Sequence, residues 1–355
     1  MITITHVLLC GLCLSILLLL VGQVEYLSCD RARLPGNSSI VARSIDGLTL
    51  VAPPEPFSAD PIAEIKEVGA DWIAVVPYAF ARRGDTAVRY PAAGWQWWGE
   101  RPEGVCETIR MAHAAGLRVM LKPQVYIPGG WTGELSFADE TSWQAWERAY
   151  ARYIFTMVRI ADSLNVELFC IGTEFRQAIA QRPAFWSALI AQVRQRYKGL
   201  LTYSANWDDW QEVPFWEQLD YVGVSAYFPL VEADTPTLEA LRAAWRPYVE
   251  ELSRFSQRWR KPVLFTEFGY LSVNGAGGRT WELEKDIQRR PVNEVAQANC
   301  LDALFSTFKN QSWWAGGFLW KWFPNMRGHE GYPERDYSPQ GKLAMQVLRR
   351  WYRRE

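Results

Sequence analysis

Histidine is nearly missing from this 355-residue chain: there are only His6, His113 and His329. His6 falls in an N-terminal apolar stretch, which leaves two. A multi-histidine metal hydrolase site cannot be assembled from two histidines, and a Ser-His-Asp triad would have to use one of them. His113 sits in a helical pattern, where a structural role is expected. Cysteine is also sparse. Of the six, Cys10 and Cys13 lie in the apolar stretch, and Cys29, Cys106, Cys170 and Cys300 lack metal-site spacing. No disulfide framework is expected, and Cys170 reads as a reduced thiol in a buried strand. Charge bias is absent, with 38 basic and 39 acidic side chains and a formal charge of −1, so nothing invites nucleic acid. The run Arg349, Arg350, Arg353 and Arg354 reads as the solvated face of a terminal helix. The phosphate-binding glycine fingerprint is missing too. Gly275-Ala276-Gly277-Gly278 follows a strand within a long loop and is expected to be a flexible rim loop rather than a phosphate cradle.

Residues 7–22, VLLCGLCLSILLLLVG, are too short a run for a convincing spanning helix. They fit a signal peptide, although no Lys or Arg precedes them. Tyr26-Leu27-Ser28-Cys29 resembles a lipobox with its Leu displaced by one position. Residues 1–29 are therefore expected to be a signal peptide or lipoprotein signal, and residues 30–355 one domain. The expected destination is the periplasm, the cell surface or the medium. Acylation of Cys29, with membrane attachment, is preferred over simple cleavage or an uncleaved anchor. A monomer is expected.

From residue 40 onwards no low-complexity linker interrupts the chain. Short β-rich apolar runs near 45–51, 72–77, 117–122, 167–172, 200–205, 220–226, 262–267 and 315–320 alternate with longer helical patterns. In 142–164, Trp143, Trp146, Tyr150, Ile154, Met157, Ala161 and Leu164 form one apolar stripe, and Thr141 with Gln144 can make a capping box. Pro183 opens a helix over 183–197. Pro339 starts the last one, with Leu343, Val347, Leu348 and Trp351 on its buried side. Eight strands, each followed by a helix, predict a single-domain (β/α)8 barrel rather than an open doubly wound sheet.

Barrel sites are built where the strands run out at their C-terminal ends. Glu174 and Glu267 stand there, at the fourth and seventh strand candidates. A barrel would bring both into one cleft, as retaining glycoside hydrolysis requires: one carboxyl protonates the leaving oxygen and the other attacks the anomeric carbon. Alone, either is a salt-bridged glutamate at a strand end; in these two registers, each followed by an aromatic residue, they make a pair. The chain also carries 19 Trp. Trp95, Trp97, Trp98, Trp131, Trp207, Trp210, Trp281, Trp320 and Trp322 fall on the expected catalytic rim. Pyranose rings present apolar C–H faces that stack on aromatic planes. Trp143, Trp146 and Trp186 read as packing, and Trp207 and Trp320 as ligand-facing.

Four phrases carry a specific likeness. Cys-Ile-Gly-Thr-Glu-Phe (170–175), Tyr-Val-Gly-Val-Ser-Ala-Tyr-Phe-Pro (221–229), Phe-Thr-Glu-Phe-Gly-Tyr (265–270) and Gly-Gly-Phe-Leu-Trp-Lys-Trp (316–322) resemble glycoside hydrolase family 113. Tyr-Ser-Pro-Gln-Gly-Lys (337–342) is similar as well, and the likeness runs from about residue 40 to the C-terminus. It implies a β-mannanase-like enzyme of the clan of retaining (β/α)8 glycosidases, acting on mannan or glucomannan without a cofactor. It further implies Glu174 as acid/base, Glu267 as nucleophile, Tyr227 as hydrogen-bond donor to the nucleophile, and Trp320 as floor of the reacting subsite. Lys122, Gln124, Asn206 and Trp207 match strand-end positions that contact substrate, with Trp131 and Trp281 on the rim. Two departures stand out. Thr173 occupies a place where much of the clan has Asn. Tyr78 ends the second strand where many members offer an Arg to the nucleophile, and Arg43 and Lys122 are the open candidates to supply that charge. A clan relative acting on another β-glycan and a non-catalytic glycan-binding barrel are the alternatives. Endo or exo action is left to the rim loops 78–102 and 268–290.

Overall fold

The computed structural model describes residues 44–91, 94–326 and 331–353. The apolar run 7–22, Cys29, the boundary after it and Arg43 lie outside them. The strands are β1 (Ile45–Leu50), β2 (Trp72–Val75), β3 (Tyr78–Phe80), β4 (Arg118–Leu121), β5 (Gln124–Tyr126), β6 (Leu168–Thr173), β7 (Leu200–Asn206), β8 (Val222–Ser225), β9 (Val263–Phe268) and β10 (Trp314–Trp322). Eight of them close into a barrel in the order β1-β10-β9-β8-β7-β6-β4-β2, every pairing parallel. These are the eight strands expected. The remaining two, β3 and β5, pair in parallel above the barrel mouth as a separate ribbon, Tyr78 opposite Gln124 and Phe80 opposite Tyr126. The helices are α1 (Ile62–Val68), α2 (Pro102–Ala114), α3 (Glu140–Ser163), α4 (Arg176–Gln181), α5 (Pro183–Arg196), α6 (Leu238–Trp259), α7 (Thr280–Leu283), α8 (Glu294–Phe308) and α9 (Leu343–Arg353).

The two-residue period of the strands sorts side chains into two layers. Trp72, Ala74, Met120, Leu168, Cys170, Leu264 and Phe318 form one cluster inside the barrel. Their neighbours Ile73, Val119, Phe169, Ile171, Phe265 and Leu319 pack outwards with the helices. Trp72 and Phe318 meet edge to face, with centroids 6.2 Å apart, and fill the N-terminal half of the bore. Higher up the lining turns polar: Lys122, Ser204, Ser225, Thr266 and Glu267 are all buried. The barrel therefore has an apolar base and a hydrogen-bonding top.

Three strands slip register as they reach that top. On β6 an extra residue lies between the pairings Cys170–Thr202 and Thr173–Ser204. On β9 one lies between Phe265 and Glu267, and on β10 between Leu319 and Trp322. An extra residue re-aims the side chains beyond it.

Helix ends differ in detail from expectation. Asp139, not Thr141, caps α3, accepting the Ser142 N–H at 2.8 Å, while Gln144 bonds Glu140. The preceding acidic side chain offers the shorter reach to the free amides. The last helix begins at Leu343 rather than Pro339, and Leu343 is exposed; Ala344, Leu348 and Tyr352 form its buried side. The Gly275–Gly278 loop is packed, not loose: the Leu230 and Val231 amides both donate to the Gly277 carbonyl, and a Cβ on Gly277 would lie 3.1 Å from Leu241.

Candidate active site

Glu267 is the next-to-last residue of β9 and is 6% exposed. Three donors from three other elements converge on it. Lys122, just past β4, pairs with Oε1, and Gln124 Nε2 donates to the same oxygen at 2.8 Å. The Tyr227 hydroxyl donates to Oε2 at 2.9 Å. Burial first, then the Glu267 charge, hold the Tyr227 phenol well above its ordinary pKa, so it stays a donor. The register slip on β9 explains the arrangement: Thr266 and Glu267 are adjacent, yet both engage the barrel interior. Thr266 Oγ1 meets Ser204 Oγ at 2.7 Å, and Ser204 Oγ meets Ser225 Oγ at 3.0 Å.

Glu174 follows β6 with φ +57°, a left-handed conformation that costs a non-glycine residue energy and that collects at functional sites. The surroundings fix it. Its N–H donates to the Ser204 carbonyl at 2.8 Å and its carbonyl accepts from Arg176 N–H at 3.0 Å. The next amide, Phe175, donates to the Tyr203 hydroxyl at 2.6 Å. The Trp131 indole N–H donates to Glu174 Oε2 at 2.7 Å, and the Ser225 hydroxyl lies near enough to favour the ionised carboxyl. Burial first, then the nearby Glu267 charge, push the Glu174 pKa up to about 7 against the pull of those donors and Lys122. The two carboxyls thus differ: Glu267 is an acceptor ringed by a cation and two neutral donors, and Glu174 holds its proton into the neutral range.

Both glutamates line a cavity of about 620 Å³ with Trp131, Arg176, Asn206, Trp207, Asp208, Tyr227, Thr280, Trp281, Glu284, Trp320 and Tyr337. A second cavity of about 420 Å³ opens on the other side of Trp320, lined by Tyr78, Phe80, Trp95, Trp97, Glu100, Tyr126 and Lys321. Together they form one cleft with Trp320 at its seam. A larger opening of about 900 Å³ lies at the base of the barrel. Its charged groups are taken up in pairs such as Arg118–Asp71 and Lys309–Asp46, and it holds no strand-end residue of the pair's face. His113 is at that base, bonded to Glu167 at 3.2 Å.

Most residues expected at the site gather there: Lys122, Gln124, Trp131, Glu174, Asn206, Trp207, Tyr227, Glu267, Trp281 and Trp320. Lys122 pairs with the Glu267 carboxylate; Arg43, the other candidate for that charge, lies outside the described residues. Tyr78 lies in the second cavity, on the β3–β5 ribbon. Asn206 bonds Asp208 at 2.9 Å, and Trp207 and Trp281 stack on each other at 5.4 Å and 12°. Two rim tryptophans are core instead. Trp210 is 2% exposed against Phe255. Trp322 is fully buried, turned outward by the slip on β10. Trp98 is turned to α2 by a 2.7 Å bond to Glu107. Sequence reasoning missed Glu100, Arg176, Glu284, Tyr337 and the Ser204–Ser225–Thr266 network. The alternation within β7 and β8 marks Ser204 and Ser225 as inward. Thr266 is hidden by the slip on β9, Arg176 opens the short α4, and Glu100, Glu284 and Tyr337 sit on short helical turns or loops with no periodic signal.

The model of Glycoside Hydrolase Family 113 matches residues 55–342. A solved GH113 β-mannanase from Alicyclobacillus acidocaldarius is 28% identical, with a TM-score of 0.75, covering 88% of this chain and 97% of its own. A GH113 β-1,4-mannanase structure is similar at 25% identity and a TM-score of 0.75, covering 88% and 99%. A Faecalibacterium prausnitzii β-glucuronidase shares the fold at 17% identity and a TM-score of 0.54, covering 88% of this chain and 49% of its own. No curated protein matches the chain.

Proposed function

The chain belongs to glycoside hydrolase family 113, and on that premise we propose that it cleaves β-1,4-mannosidic links in mannan or glucomannan with retention of configuration. The observation that carries this reading is the asymmetry of the carboxyl pair. Glu267, held by Lys122, Gln124 and Tyr227, is the nucleophile. Glu174, its pKa raised to about 7 by burial and by Glu267, is the acid that protonates the leaving oxygen and then the base that activates water. When Glu267 becomes esterified its charge is lost, the Glu174 pKa falls, and the same group is ready to accept a proton. Trp320 is the floor of the reacting subsite. Trp207, Trp281 and Asn206 line the cavity that holds Glu174, and the β3–β5 ribbon lines its continuation past Trp320. Solved β-mannanases of similar sequence support mannan as the glycan. Export belongs to the same proposal and rests on the apolar run 7–22, with Cys29 as the residue that would be acylated; intact mass of the protein from its host tests both.

The test of the reaction is a product profile. Matched β-1,4-manno- and cello-oligosaccharides are compared by kcat/KM, and the first-formed anomer is read by proton NMR. Faster cleavage of the manno series with a β-anomer released first is expected. Equal or reversed rates would move the substrate to another β-glycan, and an α-anomer would exclude retention.

A further inference from the structure

Trp131 is expected from its rim position to be a sugar platform, but its contacts describe another role. Its indole N–H is spent on Glu174 Oε2 at 2.7 Å. The Arg176 guanidinium lies over the ring, 4.9 Å from the centroid. Gly133 packs against the indole so closely that an added Cβ would sit 2.3 Å from a ring carbon. Thr132, next to it, ties the segment to β6 by donating to the Thr173 carbonyl at 3.2 Å. Arg176 is itself fixed: Nε donates to Asp209 at 2.8 Å and NH2 pairs with Asp208. An indole held by a cation over its plane, a glycine against it and an acceptor at its N–H is a clamped donor, not a surface awaiting a ring.

We propose that Trp131, clamped by Arg176 with Asp208 and Asp209, is a positioning residue that orients the Glu174 carboxyl and sets the pH at which it gives up its proton. This rests on the reading of Glu174 as acid/base. The physics is direct. An N–H donor stabilises the carboxylate more than the acid, so it holds the pKa below the value that burial alone would impose. Around Glu174 stand Glu267, which raises its pKa, Lys122, which lowers it, Tyr203 on β7, Arg176 with its two aspartates, and, lining the same cavity, Tyr227, Glu284 and Tyr337. Burial dominates and Trp131 opposes it. Without the donor, Glu174 would stay protonated to higher pH. It would be available as an acid over a wider pH range, but at a given neutral pH less of it would be ionised and ready to accept the proton in the second step.

The variant is Trp131→Phe, which keeps the ring and removes the N–H. With a mannooligosaccharide, the alkaline limb of kcat/KM should move up by about one pH unit, the worth of one charge-assisted hydrogen bond. Arg176→Met should move it in the same direction. An unmoved limb with a uniform loss of rate would overturn the proposal, because a purely structural role lowers activity at every pH alike. A second readout is independent of turnover. In the ¹⁵N spectrum of the wild-type protein, the indole resonance that vanishes in Trp131→Phe should titrate with a midpoint near the Glu174 pKa of about 7, and should stop titrating in Glu174→Gln. The same titration in Glu174→Gln would sink the pairing. If the resonance follows Glu174 while Glu174→Gln keeps full hydrolase activity, the positioning contact stands and the acid/base reading fails.

Discussion

The two halves of the cleft meet at Trp320 and are built on different physics. The half that holds the carboxyl pair is lined by charge: Glu174, Glu267, Arg176, Asp208 and Glu284. Almost every group in it has a fixed partner, down to the strained backbone of Glu174 and the Tyr337 hydroxyl donating to Glu284 at 2.6 Å. The other half is aromatic. Phe80 and Trp95 meet edge on at 4.5 Å, Phe80 and Tyr126 at 6.0 Å, and Trp95, Tyr126 and Trp97 remain 62%, 50% and 39% exposed. Its one carboxyl, Glu100, is buried and pushed up to about 7 by that burial. Chemistry at a sugar carbon needs charges at set positions before substrate arrives. Holding a further sugar ring needs only an apolar plane that costs little to order. The first half is costly to build and specific; the second is area.

That contrast can be broken in three places. Trp320 belongs to both halves, so Trp320→Ala should cost most: about 2–3 kcal/mol of transition-state binding, roughly a hundredfold in kcat/KM, on short and long mannooligosaccharides alike. A fall in thermal stability without a kinetic effect would return Trp320 to the core. Trp97→Ala should act through area alone, lowering kcat/KM about fivefold for chains long enough to reach past Trp320 and leaving an aryl mannoside unchanged. Equal losses on both substrates would show that the halves are not separable. The smallest effect belongs to Glu100→Gln. A carboxyl whose folded pKa is above its unfolded value stabilises fully below the unfolded value, and that contribution is lost as pH rises through the folded one. The wild type should therefore match Glu100→Gln in Tm at pH 4 and fall below it by pH 8, the difference growing between the ordinary value of 4.5 and about 7. A Tm difference flat across this range would mean that Glu100 does not titrate there.

The contrast also marks what could be read in the sequence. The eight barrel strands follow from apolar runs of two-residue period alternating with helices, and Trp146 and Trp186 in the helical stripes are fully buried as expected. Glu174 and Glu267 stood out because strand ends are where a barrel gathers chemistry. The errors fall where the period breaks. Parity along β10 makes Trp322 a neighbour of Trp320 in the cleft, but the slip between Leu319 and Trp322 turns it outward. Trp210 reads as a rim residue because it follows a strand end with no helical period around it; a one-turn helix folds it onto Phe255. The β3–β5 ribbon is only three residues per strand, too short for periodicity to register. Trp131 was visible as an aromatic residue on the right rim, but its partnership with Glu174 depends on long-range packing that places Arg176 over its ring. No local pattern encodes that.

The assignment of Glu174 and Glu267 to different steps is tested most directly by adding azide to the two alanine variants acting on an aryl β-mannoside with a good leaving group. Glu174→Ala should still form the glycosyl-enzyme, because that leaving group needs no proton, and then stall because water lacks its base. Azide should restore turnover and release the β-azide. Glu267→Ala should lose native turnover, and any azide product it forms should be the α-azide, from direct attack on the opposite face. The reverse pattern, a β-azide from Glu267→Ala and an α-azide from Glu174→Ala, would exchange the two roles. Wild-type hydrolysis in both variants without azide would remove both carboxyls from the chemistry.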